Sequence, residues 1–237
     1  MPFATARSLY RASLRYDCAI LASEGSWDGF NNLLANALNL YDAGQATHFA
    51  MLHADISADE GWVDVLYDEL RRLRADLVSA VVPIKDHRGV TSCGVIDPKN
   101  QWNPLKRFTM REVFELPETF DAADAGFPGY GLLHNDGCML LDLANPLFRA
   151  RDEQGVLKAS FDFPRQVIYR DGHYDVRAES EDWYFSRMLH ELGARSYITR
   201  KAKLVHVGNQ VFSNALPWGS YAEGDEDTAG RWKAAQA

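Results

Sequence analysis

A chain of 237 residues with 46% hydrophobic and 24% charged side chains is long enough for one large α/β domain with its own core, and no internal repeat divides it. A formal net charge of -8 without a basic stripe argues against general nucleic-acid binding, and no apolar run approaches the roughly 18 residues a membrane span needs. Three isolated cysteines, Cys18, Cys93 and Cys138, lack metal-ligand spacing and read as reduced thiols of a cytoplasmic protein, with Cys18 and Cys138 as small buried hydrophobes.

Arg7, Arg11 and Arg15 recur at helical spacing, so residues 4–15 are predicted to form a helix packed on the domain rather than a targeting peptide. Tyr16 to Ala22 reads as a strand entering the turn Ser23-Glu24-Gly25-Ser26. Phe30, Leu33, Leu34, Ala37, Leu38 and Tyr41 trace one helix face, closed by Gly44. Phe49 to Leu52 is a short buried strand that stops at His53-Ala54-Asp55. Alternating helix and strand over the first 55 residues is the pattern of a parallel sheet with crossover helices.

A helix from Asp59 should turn Trp62, Leu66, Leu70, Leu73 and Leu77 inward, with Arg71, Arg72 and Arg74 suiting its C-terminal dipole. Leu77 to Val82 is the next strand, stopped by Pro83, and Lys85 to Gly89 forms a polar loop at its end. From Thr91 to Gly131 four prolines interrupt any period, which suggests a lid or substrate-facing excursion. Gly137 to Leu143 is a buried strand, and the alternation through Tyr174 with Asp171-Gly172 signals a hairpin. Ser180 to Gly193 is a helix with Ser180 as cap, Glu181 and Asp182 in its first turn, and Phe185, Met188, Leu189 and Leu192 buried. Residues 195–199 and 203–207 are short strands, the second carrying His206. The domain is expected to end near 212, with 213–237 as a polar tail.

Ligands of open α/β sheets bind beyond the carboxyl ends of the strands, which makes His53 and Asp55 site candidates; a turn cap and an edge residue are their alternative roles. Glu181 and Asp182 suit either acid–base work or simple pairing with the helix dipole.

Three islands in this order resemble the GT-A glycosyltransferases, particularly the family 2-like transferases of bacteria and their phages: THFAMLHADISADEGWVDVL (47–66), AESEDWYFSRMLHELG (178–193) and LVHVG (204–208). With ILASEGSWDGFNNLLANAL (20–38) the likeness covers residues 4–210. It implies a GT-A, Rossmann-like and mostly parallel sheet flanked by helices in one domain, 1–212. It also implies a UDP- or GDP-linked nucleotide-sugar donor, a hydroxyl acceptor, inverting transfer and a divalent cation, Mn²⁺ or Mg²⁺.

Asp55 matches the last aspartate of the family's Asp-x-Asp motif and His206 its late histidine, which implies that both are metal ligands. His53 stands where the first aspartate usually is, within reach of the metal or a nucleotide hydroxyl. Asp182 matches the catalytic base, and Glu181 would orient the acceptor. Glu24 and Asn32 match positions facing the nucleotide, with turn and surface roles as alternatives. Trp102, Trp183 and Trp218 are candidates for stacking on sugars, and His134-Asn135-Asp136 for lining the acceptor side. The family's opening strand has no counterpart after Met1-Pro2-Phe3. Two rival readings are a nucleotidyltransferase, whose glycine-rich basic loop is not visible here, and a catalytically silent binding or assembly protein.

Overall fold

Leu77-Val78 and Met139-Leu140-Leu141 are unbroken apolar runs, as strands covered on both faces require. The computed structural model describes residues 3–23 and 27–220. Its helices are α1 (Phe3–Ser13), α2 (Trp27–Asp42), α3 (Trp62–Leu73), α4 (Met110–Glu115) and α5 (Glu181–Glu191). Its strands are β1 (His48–Leu52), β2 (Ile56–Ala58), β3 (Leu77–Ala80), β4 (Val90–Val95), β5 (Lys106–Thr109), β6 (Thr119–Phe120), β7 (Leu132–Leu133), β8 (Cys138–Asp142), β9 (Arg165–Arg170), β10 (His173–Ala178), β11 (Ser196–Thr199), β12 (Leu204–Val207) and β13 (Val211–Ser213).

A five-stranded sheet in the order β1-β8-β3-β11-β6 forms the centre. Alternate residues of its strands face opposite ways. Leu77, Met139 and Leu141 pack with Phe30, Leu34 and Leu38 of α2 and with Phe185 and Leu189 of α5. Val78, Ala80, Cys138 and Leu140 pack on the other side with Trp62, Leu66 and Leu70 of α3. Burying side chains of this size contributes roughly 1.5–3 kcal/mol each.

The expected mostly parallel, Rossmann-like GT-A sheet does not form. Only β3 and β11 run parallel among the described pairs, while β1–β8, β3–β8 and β6–β11 are antiparallel. The remaining strands make small sheets, β13-β12-β2, β5-β4-β7 and β10-β9, all antiparallel. Helix–strand alternation misleads here because β8, far along the chain, inserts between β1 and β3. The strand expected at Tyr16 to Ala22 is also absent from the described residues: this segment is irregular, Ile20 and Leu21 are about half exposed, and Cys18 is exposed rather than buried.

Two further expectations change. Helix α3 stops at Leu73 because Arg74 adopts a left-handed conformation (φ 52°), and Leu77 therefore lies in β3. The proline-interrupted excursion from Thr91 to Gly131 holds strands, a helix with a complete capping box at Thr109 and Glu112, and its own core of Cys93, Val95, Phe108, Val113 and Phe120. The Asp171-Gly172 hairpin forms, with both turn residues at positive φ (53° and 85°).

Residues after Ser213 are tied to the domain as far as they are described. Asn214 is fully buried; its amide donates to the carbonyls of Val81 (3.0 Å) and Ala202 (2.9 Å) and accepts from the Leu204 N–H (2.9 Å). Asn214→Ala leaves those three backbone groups without this partner and is expected to lower stability by about 2–3 kcal/mol. Urea unfolding measures the loss; an unchanged midpoint and slope would contradict it.

Candidate functional site

The β2–β12 ladder pairs His206 with Ile56, and Val207 N–H donates to the Asp55 carbonyl at 2.8 Å. An acid from the turn after β1 and an imidazole near the end of the domain therefore meet, Asp55 Oδ2 lying 3.3 Å from His206 Nε2. His206 Nδ1 lies 2.8 Å from the carbonyl oxygen of Pro83. A carbonyl only accepts, so Nδ1 carries the hydrogen, and the lone pair of a neutral ring on Nε2 faces a carboxylate oxygen. That arrangement suits an imidazolium or a cation held between the two atoms. Lys85 Nζ also pairs with Asp55 Oδ2. The hydrogen bond that His206 donates to Asp55 when its ring is an imidazolium holds the carboxyl far below the ordinary range; burial opposes this, and Lys85 assists.

A second cluster lies across His53. Register β1–β8 places His53 opposite Gly137, whose carbonyl accepts from His53 N–H at 2.9 Å. The imidazole stacks on Phe30 (centroids 5.0 Å apart, planes 19° apart) and its Nε2 sits 3.1 Å from Asp136 Oδ1. That contact is an ion pair outside hydrogen-bond geometry, and Asp136 Oδ2 is buried without a hydrogen-bond partner among the described residues. Burial pushes His53 down, but Asp136 first, then Asp55 and Asp182, push it up and prevail.

Asp182 is the second residue of α5 and is 8% exposed, beside Asp136 at 3%. The hydroxyl of Ser180, expected to cap the helix, instead donates to Asp182 Oδ1, which also accepts from Trp183 N–H at 2.8 Å. Asn135 Nδ2 reaches Asp182 Oδ2 at 3.3 Å, while Asn135 Oδ1 accepts from Gly137 N–H at 2.8 Å. Burial raises the Asp182 carboxyl well above the ordinary range, with Asp136 and Glu181 adding to it and the donors opposing. Glu181 is likewise raised, chiefly by burial and then by Asp136.

The other expected residues fall in different places. Glu24 lies outside the described residues. Asn32 is exposed on α2, whereas its neighbour Asn31 is tied to the backbone of Phe161 through both amide atoms, at 2.7 and 2.8 Å. Trp183 is buried and donates to the Ser92 carbonyl (2.7 Å), with the Arg107 guanidinium over one face of its ring at 5.3 Å. Trp218 packs on Phe212. His134 is buried against Ser186, and burial drives its imidazole down to about 3.

Arg107 and the two roles of Asn135 escaped sequence reading; only the strand registers reveal them. The residues fit a divalent cation in one respect: Asp55 and His206 present two adjacent donors, with the second ring nitrogen anchored to a backbone carbonyl as is usual for metal-binding histidines. No group of three or more His, Cys, Asp or Glu side chains converges among the described residues. Other ligands would have to come from outside that set, as phosphate oxygens do for Mg²⁺.

The fold is similar to that of the crystal structure of A197 from STIV, with a TM-score of 0.53 and 14% sequence identity over 90% of this chain and 84% of that chain. At this identity the likeness shows a shared fold alone. No family model matches the chain, and no curated protein does. No helix of the described residues is long and apolar enough to cross a membrane.

Removing the charge of Asp136 should ease ionisation of its neighbour. In carboxyl-labelled protein followed by carbon NMR, Asp182 is expected to titrate above the ordinary aspartate range, and Asp136→Asn to move its midpoint down. Because the folded state holds this proton above the pH at which the unfolded chain releases it, the contribution of Asp182 to stability falls as pH rises through that window. A midpoint in the ordinary range, unmoved by Asp136→Asn, would contradict the assignment.

Proposed function

We propose that this protein transfers a sugar from a UDP- or GDP-linked donor to an acceptor hydroxyl, with inversion, and that Asp55 and His206 hold a divalent cation, Mn²⁺ or Mg²⁺. The observation that carries the reading is the pairing of Asp55 Oδ2 with the outward nitrogen of a histidine whose other nitrogen is committed to the Pro83 carbonyl. The three sequence islands support it, since the residues they single out converge on neighbouring clusters.

When bound, the cation offsets the negative charge that grows on the departing nucleoside diphosphate. The chain's own residues supply the rest. Asp182 accepts the proton of the acceptor hydroxyl as its oxygen attacks the anomeric carbon. Asn135, Ser180 and the Trp183 N–H hold that carboxyl in one orientation. Its raised affinity for protons makes it a stronger base once ionised, and activity should climb with pH as it loses its proton. Glu181, half-buried beside it, orients the acceptor. His53 is held by Phe30 and Asp136, where the charges of both Asp55 and Asp182 reach it.

A screen of UDP- and GDP-linked sugars, reading donor hydrolysis by mass spectrometry, tests the proposal. Asp182→Asn is expected to lower turnover by roughly 10²–10⁴-fold, the usual contribution of a positioned base. Asp55→Ala should abolish metal-dependent binding of uridine or guanosine diphosphate. Turnover that is indifferent to both substitutions would sink the site assignment. Pyrophosphate release from nucleoside triphosphates would favour a nucleotidyltransferase, and absence of metal-dependent nucleotide binding a silent module.

A further inference from the structure

We infer that Lys85 is the built-in counter-ion of this site: its ammonium neutralises Asp55 until a divalent cation arrives with the donor, then passes to the donor's diphosphate. This rests on the reading in which Asp55 and His206 receive the metal, and adds a residue that the sequence islands do not contain.

The geometry makes Lys85 and the cation competitors. Lys85 Nζ pairs with Asp55 Oδ2, the same oxygen that faces His206 Nε2 at 3.3 Å. One carboxylate oxygen cannot hold an ammonium and a divalent ion side by side without strong repulsion between the two cations. Lys85 also has somewhere to go. It lines an open cleft of about 450 Å³ with Asp86, His87, Gly208, Asn209, Gln210 and Phe212.

Its stem lies against Gly208, where an added Cβ would sit 3.0 Å from Lys85 Cδ and 3.6 Å from Cγ, so the glycine of the LVHVG island leaves room for the lysine. The adjacent acid, Asp86, is engaged by the Arg88 guanidinium at 2.7 Å and does not draw Lys85 away. Lys85 and Asp55 side chains are 37% and 38% exposed, so exchanging one anionic partner for another costs little. A compact charge on a flexible stem suits a phosphate whose position is set by other groups.

Binding of Mn²⁺ alone, followed by loss of the free-ion paramagnetic resonance signal, and of uridine diphosphate in saturating Mn²⁺, followed by calorimetry, tests this. Lys85→Met is expected to take up Mn²⁺ about two- to fivefold more tightly than the parent, as removal of an exposed ion-pair partner predicts, and to bind uridine diphosphate more weakly. Lys85→Arg should retain nucleotide binding, which a loss caused by disturbed packing would not predict. Unchanged or weaker Mn²⁺ uptake by Lys85→Met, or unchanged nucleotide affinity, would overturn the role of Lys85. If Asp55→Ala abolishes uptake while Lys85→Met leaves it unaltered, that role alone fails; uptake that survives in Asp55→Ala, or a parent that shows no Mn²⁺-dependent binding of uridine diphosphate, overturns the metal reading and this inference with it.

Discussion

Strand β12 lies antiparallel to β2, and this ladder decides whether Asp55 and His206 meet at all. Leu204 faces Ala58, His206 faces Ile56, and the Val207 N–H to Asp55 carbonyl bond carries the pairing one step further. A slip of one residue would turn His206 to the opposite face. β12 is held from its other side by β13, and Asn214 binds the Leu204 N–H while reaching the ends of two other segments at Val81 and Ala202. The Pro83 carbonyl then orients the imidazole. Segments distant in sequence are thus locked by backbone hydrogen bonds before any side-chain chemistry is possible.

The second cluster has a different energetic character. Taking a carboxylate out of water costs several kcal/mol unless donors or cations compensate, and Asp136 and Asp182 are both nearly inaccessible. Glu179, equally buried, shows the ordinary solution: the Arg187 guanidinium grips both of its oxygens, partly offsetting the upward push of burial. Asp182 has neutral donors and a like-charged neighbour instead. Such an arrangement does little for stability, and groups held this way are concentrated where proton transfer is needed.

Much of the local structure was legible because it rests on short-range rules. The apolar face of α2, the Gly193 stop of α5, the Asp171-Gly172 turn and the strand carrying His206 all follow from spacing and backbone preference. Strand direction was not legible. Each short strand is apolar in its own right, and nothing in Cys138 to Asp142 announces that it will run antiparallel between β1 and β3. Ser180 obeys the composition rule for a cap yet spends its hydroxyl on Asp182. The excursion from Thr91 to Gly131 reads as unstructured because its elements are short and its core is assembled from Val81, Ile198 and residues between them in space. In the site, Asp55, His206 and Asp182 stood out by residue type and order, whereas the partnership of His53 with Asp136 depends on a register that only folding sets.

The two clusters also shift their acids in opposite directions, and this contrast connects fold to chemistry. Asp55 lies next to His206 and Lys85, which hold its carboxyl well below the ordinary range. Asp182 lies next to Asp136 and Glu181 in a drier setting, which makes it reluctant to ionise. A group that stays charged suits the attraction of a cation; a group whose affinity for a proton is raised suits proton exchange with a hydroxyl. His53 feels both, with Phe30 stacked on its ring, Asp136 at its edge, and the charges of Asp55 and Asp182 acting on it. An aspartate at position 53 would place another negative charge against Asp136 and raise the cost of that buried carboxylate, which gives a physical reason for an imidazole at this position.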